Sequence, residues 1–554
     1  MKKILYFIAF LFFGTSLQAE DAVLKTLKEE ANRNLAVLKK QDIPAYFIAY
    51  RVTDIETISF SASFGSISGK RTPWHARYLH VQTRVGDYNA DNSHEIKGGG
   101  YDAESGSDNT SFEDGAYSLH EDLWRKTDET YKNAVQKYEQ IKAKSAVTIT
   151  SEDQSPDFSR QKPCKNYEKA VHLNDLKIDV DKWEKALIRL SGLMNSNKDI
   201  LKGGIGFSGE VQRHWFYNTE ESSNAENKVA FRLYISMKAI AEDGMDLPLS
   251  KSYFVVRPED LPTEAALEKE ILEMSTLLTE LKKAPVADPY SGPSILSAEA
   301  AGVFFHEFFG HRVEGARMKQ DGDAQTFKKK IGEKVLSENI SITFDPTLRT
   351  FQGQPLNGSY TVDDEGVRGQ RVEVVKNGIL KGFLMSRTPL EGFPESNGHG
   401  RADAYSNPVT RQSNMFIKSN RPLSDDSLVI RLKEELKRSG KEYGYFFSSV
   451  SGGFTNTSTL YPNAFNVTPL VVYRIFTDDR PRELVRGVNM IGTPLSVFSQ
   501  ILECGNSYRI FNGYCGAESG SLPVSCVAPA ILVRQVETQK KMKSGDISPI
   551  LERP

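Results

Sequence analysis

The sequence predicts a multi-domain α+β fold in which antiparallel sheets and helices are segregated rather than alternating. Three observations carry this. Period-two strand patterns come in runs, as at Val229–Ala239, where Phe231, Leu233, Ile235 and Met237 alternate with polar residues. Three- and four-residue apolar spacing comes in separate blocks. Turn signals of the Asn-Gly and Asp-Gly kind join adjacent strands. A chain of 554 residues also exceeds one ordinary core. The expected division is residues 1–19, 20–160, 161–288 and 289–545.

In chain order, the first nineteen residues stand apart. Lys2 and Lys3 precede ten apolar residues, Ile4–Phe13, and Leu17-Gln18-Ala19 offers a cleavage site, so 1–19 reads as a signal peptide. The chain is then expected to be exported, periplasmic or secreted. No other segment approaches the ~20 apolar residues of a membrane span. Residues 22–41 read as a helix through Leu24, Leu27, Ala31, Leu35 and Leu38. Short alternating strands follow from Ala45 to about His94, then a Gly-rich loop at 98–106. A long helix covers about 117–145, and the polar, proline-bearing stretch 150–165 reads as a linker. Asp243-Gly244 joins the strand at 229–239 to Tyr253–Val256, and Pro262 opens an amphipathic helix to Lys283. Three prolines in Pro285–Pro293 mark a boundary, and Lys376-Asn377-Gly378 a hairpin.

Composition is that of a globular protein, 39% hydrophobic and 26% charged, with net charge -2. That balance gives no electrostatic reason to expect a nucleic-acid partner. Four cysteines do not make a disulfide scaffold. If one of Cys504, Cys515 and Cys526 binds metal, the other two are free to pair.

The chemistry concentrates at His306-Glu307-Phe308-Phe309-Gly310-His311. Ser297 is a candidate N-cap, and the residues from Ala298 to Phe309 are apolar on all sides, so this is a buried helix. Burying two histidines and a glutamate is costly unless something compensates, and a metal ion compensates all three together. The histidines stand at i and i+5, about 140° apart on a regular helix. A π-bulge or broken turn at 308–311, with Gly310 as its natural site, would bring them together. A catalytic zinc needs three protein ligands and an open position. The third is Cys515, flanked by Gly513 and Gly516, or His399, or Glu314. Glu307 is then the general base that takes a proton from zinc-bound water.

These residues carry a resemblance. AAGVFFHEFFGHRVEG at 300–315 resembles the HExxxH segment of the TldD/PmbA metallopeptidases. TVDDEGVRGQ at 361–370, NGILKGFL at 377–384, NGHGRADAYSNPVTRQSN at 397–414, Gly452-Gly453 and Gly513–Val533 resemble its further segments, in order. The resemblance implies a TldD-type zinc (Zn2+) peptidase domain at 289–545 that cuts unfolded or small peptides. His306, His311 and Cys515 would be its ligands and Glu307 its base. It also implies a homodimer, or a heterodimer with a PmbA-like partner. The alternative is a non-catalytic peptide-binding or dimer-partner protein of the same fold. Arg401, Tyr405, Arg411, Gly452 and Gly453 are candidate substrate-binding residues. Asp363, Asp364 and Glu365 read equally as a polar turn or a catalytic group. A Cys504–Cys526 bridge would clamp the segment carrying Cys515. His75 and His80 read as an exposed pair on a strand.

Overall fold

Two strands of nearly twenty residues begin the fold, β1 (Ala45–Ser63) and β2 (Ser66–Val85). The sequence suggests several short strands here. The structure makes one long hairpin instead, because Phe64 and Gly65 both take positive φ, 49° and 86°, and close it as a two-residue turn with Ser63 facing Ser66. Next come β3 (Ser107–Asn109), β4 (Lys165–Tyr167), β5 (Lys202–Asn218), β6 (Ser223–Ile240) and β7 (Asp246–Val255). They form one sheet in the order β3-β2-β1-β5-β6-β4, with β7 also on β6. The computed structural model describes residues 21–94, 107–115, 117–145, 153–319, 325–455, 465–492, 500–541 and 551. The expected signal peptide at 1–19 and the expected loop at 98–106 lie outside the described residues.

The sheet runs through the expected boundary at 160/161, since β1 pairs with β5 from Ala49–Asn218 to Ala62–Ile205. Of the stretch 150–165, read as a linker, residues 153–165 are described and form a strap in which Asp153, Asp157, Phe158 and Ser159 are buried. Phe158 is buried, with the guanidinium groups of Arg84 and Arg387 each under 4 Å from its ring centre, at 3.7 and 3.8 Å.

The sheet has an apolar and a polar face. Ile48, Tyr50, Val52, Phe60 and Ala62 of β1, with Phe207, Trp215, Phe231 and Leu233, pack under the helices α1 (Ala22–Leu38), α2 (Tyr117–Ser145), α3 (Val180–Gly192) and α4 (Glu264–Lys283). Intervening residues, among them Arg51, Ser208, Glu210, His214, Lys228 and Arg232, belong to the opposite face by strand alternation. That face meets the C-terminal half, where Arg51 Nη2 donates to the carbonyls of Asp403 and Ser406, both at 2.7 Å. His75 and His80 are not an exposed pair. Five positions apart on a strand they face opposite ways, so His75 is 45% exposed beside Asp54 while His80 is buried against Asn407.

The C-terminal sheet has eleven strands and is mostly antiparallel. Strand β8 (Tyr290–Leu296) pairs with both Tyr443–Thr455 and Gly520–Lys540. Through Phe465–Phe476 and Val488–Gly492 these strands close a ring. Helix α5 (Ala298–Phe308) packs against Tyr443–Thr455, Ile501–Ala517 and Gly520–Lys540, and α6 (Asp425–Ser439) covers β8 on the outside.

Arg387 ties the halves together. It is fully buried, donates to the Ser159 carbonyl and forms an ion pair with Glu220 at 2.7 Å. Arg387→Ala strands that carboxylate and is expected to lower stability by about 3 kcal/mol or more. A urea midpoint equal to wild type would contradict it.

Candidate functional site

Helix α5 is capped at Ser297, whose Oγ accepts from Ala300 N at 3.2 Å. It ends at Phe308. Phe309 bends out of helical geometry, with φ -108° and ψ -48°, and Gly310–Val313 form a 3-10 turn. This is the broken turn expected at 308–311. The break brings the His306 and His311 rings to 5.1 Å between centroids.

Two side chains hold the break. Arg312 Nη1 donates to the carbonyls of Glu307 at 3.0 Å and Phe308 at 2.9 Å, acceptors left over at a helix C-terminus. Gln412 Nε2 donates to the His306 carbonyl at 3.2 Å. Its amide passes so close to Gly310 that a Cβ there would lie 1.9 Å from Oε1. Only glycine fits.

From the hairpin of Ile501–Ala517 and Gly520–Lys540, Cys515 reaches the same point, with Sγ 3.3 Å from His311 Nε2. The donor atoms of His306, His311 and Cys515 all lie within 4.8 Å of one another, and all three residues are buried. Burial pushes the Cys515 thiol up, but the His311 and His306 imidazoles outweigh it and bring its pKa down to about 4. Burial likewise opposes charge on His311, yet Glu314 and Cys515 raise it to about 10. Thiolate and imidazole are thus paired where a metal would replace the proton. One thiolate and two imidazoles suit zinc and leave a fourth position open.

Glu314, a competing ligand in the sequence reading, is fully buried behind His311. Its Oε2 lies 3.0 Å from His311 Nδ1 and accepts from Arg317 Nε at 2.8 Å. Burial raises its pKa, but His311 and Arg317 outweigh this and hold the carboxyl well below the usual range. Arg317 in turn forms a two-toothed ion pair with Glu518 at 2.6 and 2.7 Å. His399, the other competitor, lies outside the cluster, with Nε2 at 3.0 Å from Ser413 Oγ, and burial lowers its pKa to about 3. Glu307 is half-buried beside Gly453, where a Cβ would lie 2.5 Å from Glu307 Cγ.

The expected substrate residues divide. Gly453 lies at the site and Gly452 adjoins it. Arg411 is 1% exposed and donates to the carbonyls of Cys515 at 2.6 Å and Gly520 at 3.0 Å, so it holds the hairpin instead. Arg401 is buried too, donating to the carbonyls of Gln412 and Pro523. Arginine is long and rich in donors, and here it satisfies buried backbone. Tyr405 is 46% exposed and packs on Tyr78. Asp363 accepts from the backbone N of Glu365, Val367 and Gly400, which makes 363–365 a structural turn. Cys504 and Cys526 are both free, facing Ile531 and Phe511 in the hairpin register. Gln412 was missed from the sequence; its only signal was its place between Arg411 and Ser413 in the ordered motif. A second grouping, Asp54, Glu56 and His75, already has Arg77 Nε at 2.6 Å from Asp54.

Residues 290–540 match the PmbA/TldA metallopeptidase C-terminal domain. A metalloprotease of Methanocaldococcus jannaschii is 28% identical over 65% of this chain and 74% of its own length. A zinc metalloprotease TldD homolog of Saccharolobus solfataricus is 24% identical over 65% of this chain and 77% of its own. In fold, TldE from Thermococcus kodakarensis is similar with a TM-score of 0.62 at 15% identity, covering 93% of this chain and all of that one. The class these matches support is metallopeptidase. The family they support is TldD/PmbA, carried by the C-terminal half. Among the described residues no helix is long and apolar enough to cross a membrane.

Gly310→Ala forces Gln412 aside and is expected to cost about 1–3 kcal/mol. Adding Gln412→Ala should make the pair less than additive in thermal unfolding. Strict additivity would show that the contact does not matter.

Proposed function

We propose that the chain is a zinc-dependent metallopeptidase acting on unfolded or small peptides. The observation that carries this is the convergence of His306, His311 and Cys515 from segments two hundred residues apart, beside a glutamate outside the ligand cluster. When bound, the metal supplies a Lewis acid that polarises the peptide carbonyl and lowers the pKa of water. Cys515, His306 and His311 Nε2 would hold it. Glu314 fixes the orientation of His311 through Nδ1, the usual service of an outer carboxylate to a ligating histidine. Glu307 takes the proton of the attacking water and passes it to the leaving amine.

The Tyr443–Thr455 strand supports substrate binding. Among the described residues, β8 pairs with it only at 445–447, so from Ser449 onward one edge carries no strand. An extended peptide adds there by main-chain hydrogen bonds, next to Gly453 and Glu307. The proposal retains export through residues 1–19, supported by the composition of that segment alone. It also retains a dimer, with itself or with a PmbA-like partner, supported by the family resemblance.

Glu307→Ala should keep the fold and bound zinc but release peptides from denatured casein at least about a hundredfold more slowly. Undiminished release would sink the proposed role. Glu314→Gln should weaken zinc binding by about 10–100-fold in a chelator competition. Unaltered affinity would show that Glu314 does not act through His311.

A further inference from the structure

Between the polar face of the N-terminal sheet and the metal-site hairpin lies a cleft of about 590 Å³. Lys70 and Arg232 line it together with Ser59, Ser208, Ser252 and Tyr514, and no Asp or Glu is among the lining residues. Two cations and a set of hydroxyls make an environment for an anion.

Arg232 is the centre of this environment. Its guanidinium lies between two aromatic rings, 4.8 Å from the centroid of Phe254 and 4.9 Å from that of Tyr514. The rings fix the plane of the fork but offer it no carboxylate. Nε and Nη2 are buried without a hydrogen-bond partner, and Arg232 makes no ion pair among the described residues. Glu210 is its nearest carboxylate by register, two pairs along from Ser208–Arg232; the two attract each other but make no ion pair. The residue as a whole is half-buried, but two buried N–H donors without an acceptor are costly until one meets them. A carboxylate meets the fork with two parallel hydrogen bonds.

The cleft also adjoins the metal site. Tyr514 and Cys515 are consecutive on one strand and so point to opposite faces. The ring of Tyr514 lines the cleft, while the sulfur of Cys515 faces His311.

We propose that this cleft is a carboxylate subsite for peptides, in which Arg232, clamped by Phe254 and Tyr514, binds a carboxylate of the incoming chain away from the bond that is cut. The proposal rests on the peptidase reading and deepens it. An acidic side chain and a free C-terminus present the same group to the fork, and experiment separates them.

The test is peptide binding to the full, zinc-supplied chain carrying Glu307→Ala, read by fluorescence anisotropy. One labelled peptide of alanine and valine has a central glutamate and a free C-terminus. A second has glutamine in place of the glutamate, and a third is amidated at its C-terminus. One neutralised peptide should bind about tenfold or more weakly, the amount expected for a charged hydrogen-bonded contact. Loss with glutamine identifies the side chain, and loss with the amide identifies the terminus. Arg232→Gln should erase the difference, and Arg232→Lys, which keeps the charge but not the fork, should retain part of it. Equal binding of all three peptides, no measurable binding of any, or full discrimination in R232Q overturns the proposal. If R232Q fails to fold by its melting curve, the three-peptide comparison on the intact arginine and R232K decides. Cleavage of the same peptides by the chain with Glu307 intact is measured alongside. Selective binding without cleavage would overturn the peptidase reading and leave the subsite standing.

Discussion

The candidate centre depends on where one helix stops. Had α5 run on past Phe308, His311 would point about 140° away from His306 and the two could not share an ion. Instead the backbone leaves helical geometry at Phe309 and tightens into a 3-10 turn. A helix end buried in an apolar core leaves carbonyls without partners, and this one is completed by Arg312 and Gln412. Gly310 is the residue that admits Gln412. The break and the groups that satisfy it are thus one device.

The remaining architecture brings the third donor to that point and keeps it there. Cys515 arrives on a hairpin fixed at two places. Arg411 holds its carbonyls, and the Arg317–Glu518 pair ties the hairpin back to the turn after His311. Glu314 joins these anchors, contacting His311, Arg317 and the backbone N of Gln412. A buried polar network of this kind is costly if half satisfied and rigid if complete. Ring closure through β8 gives α5 and the hairpin a common support.

Legibility in the sequence followed the range of the interaction. The helices at 117–145 and 264–283 were readable because an apolar stripe is a local pattern, and the hairpin at Asn377-Gly378 because its turn chemistry is local. The motif histidines were readable because their cost of burial is visible residue by residue. The pairing of β1 with β5 was not, since strands more than a hundred residues apart leave no local mark of their partnership. The stretch 150–165 reads as a linker because its two prolines and polar residues resemble one, while what buries Phe158 lies at Arg84 and Arg387. Arg401 and Arg411 looked functional in their motif. Which carbonyls they serve is decided by the fold, and the cation–aromatic clamp at Arg232, built from three separate strands, was invisible for the same reason.

X-ray absorption at the zinc edge of the purified, metal-loaded protein tests the central claim most directly. The account predicts one sulfur at about 2.3 Å and two imidazole nitrogens at about 2.0–2.1 Å, with a light-atom ligand in the fourth position. Loss of the sulfur shell in Cys515→Ser would complete the assignment. A shell of oxygen and nitrogen alone in the wild type, or a protein that retains no zinc, would contradict it.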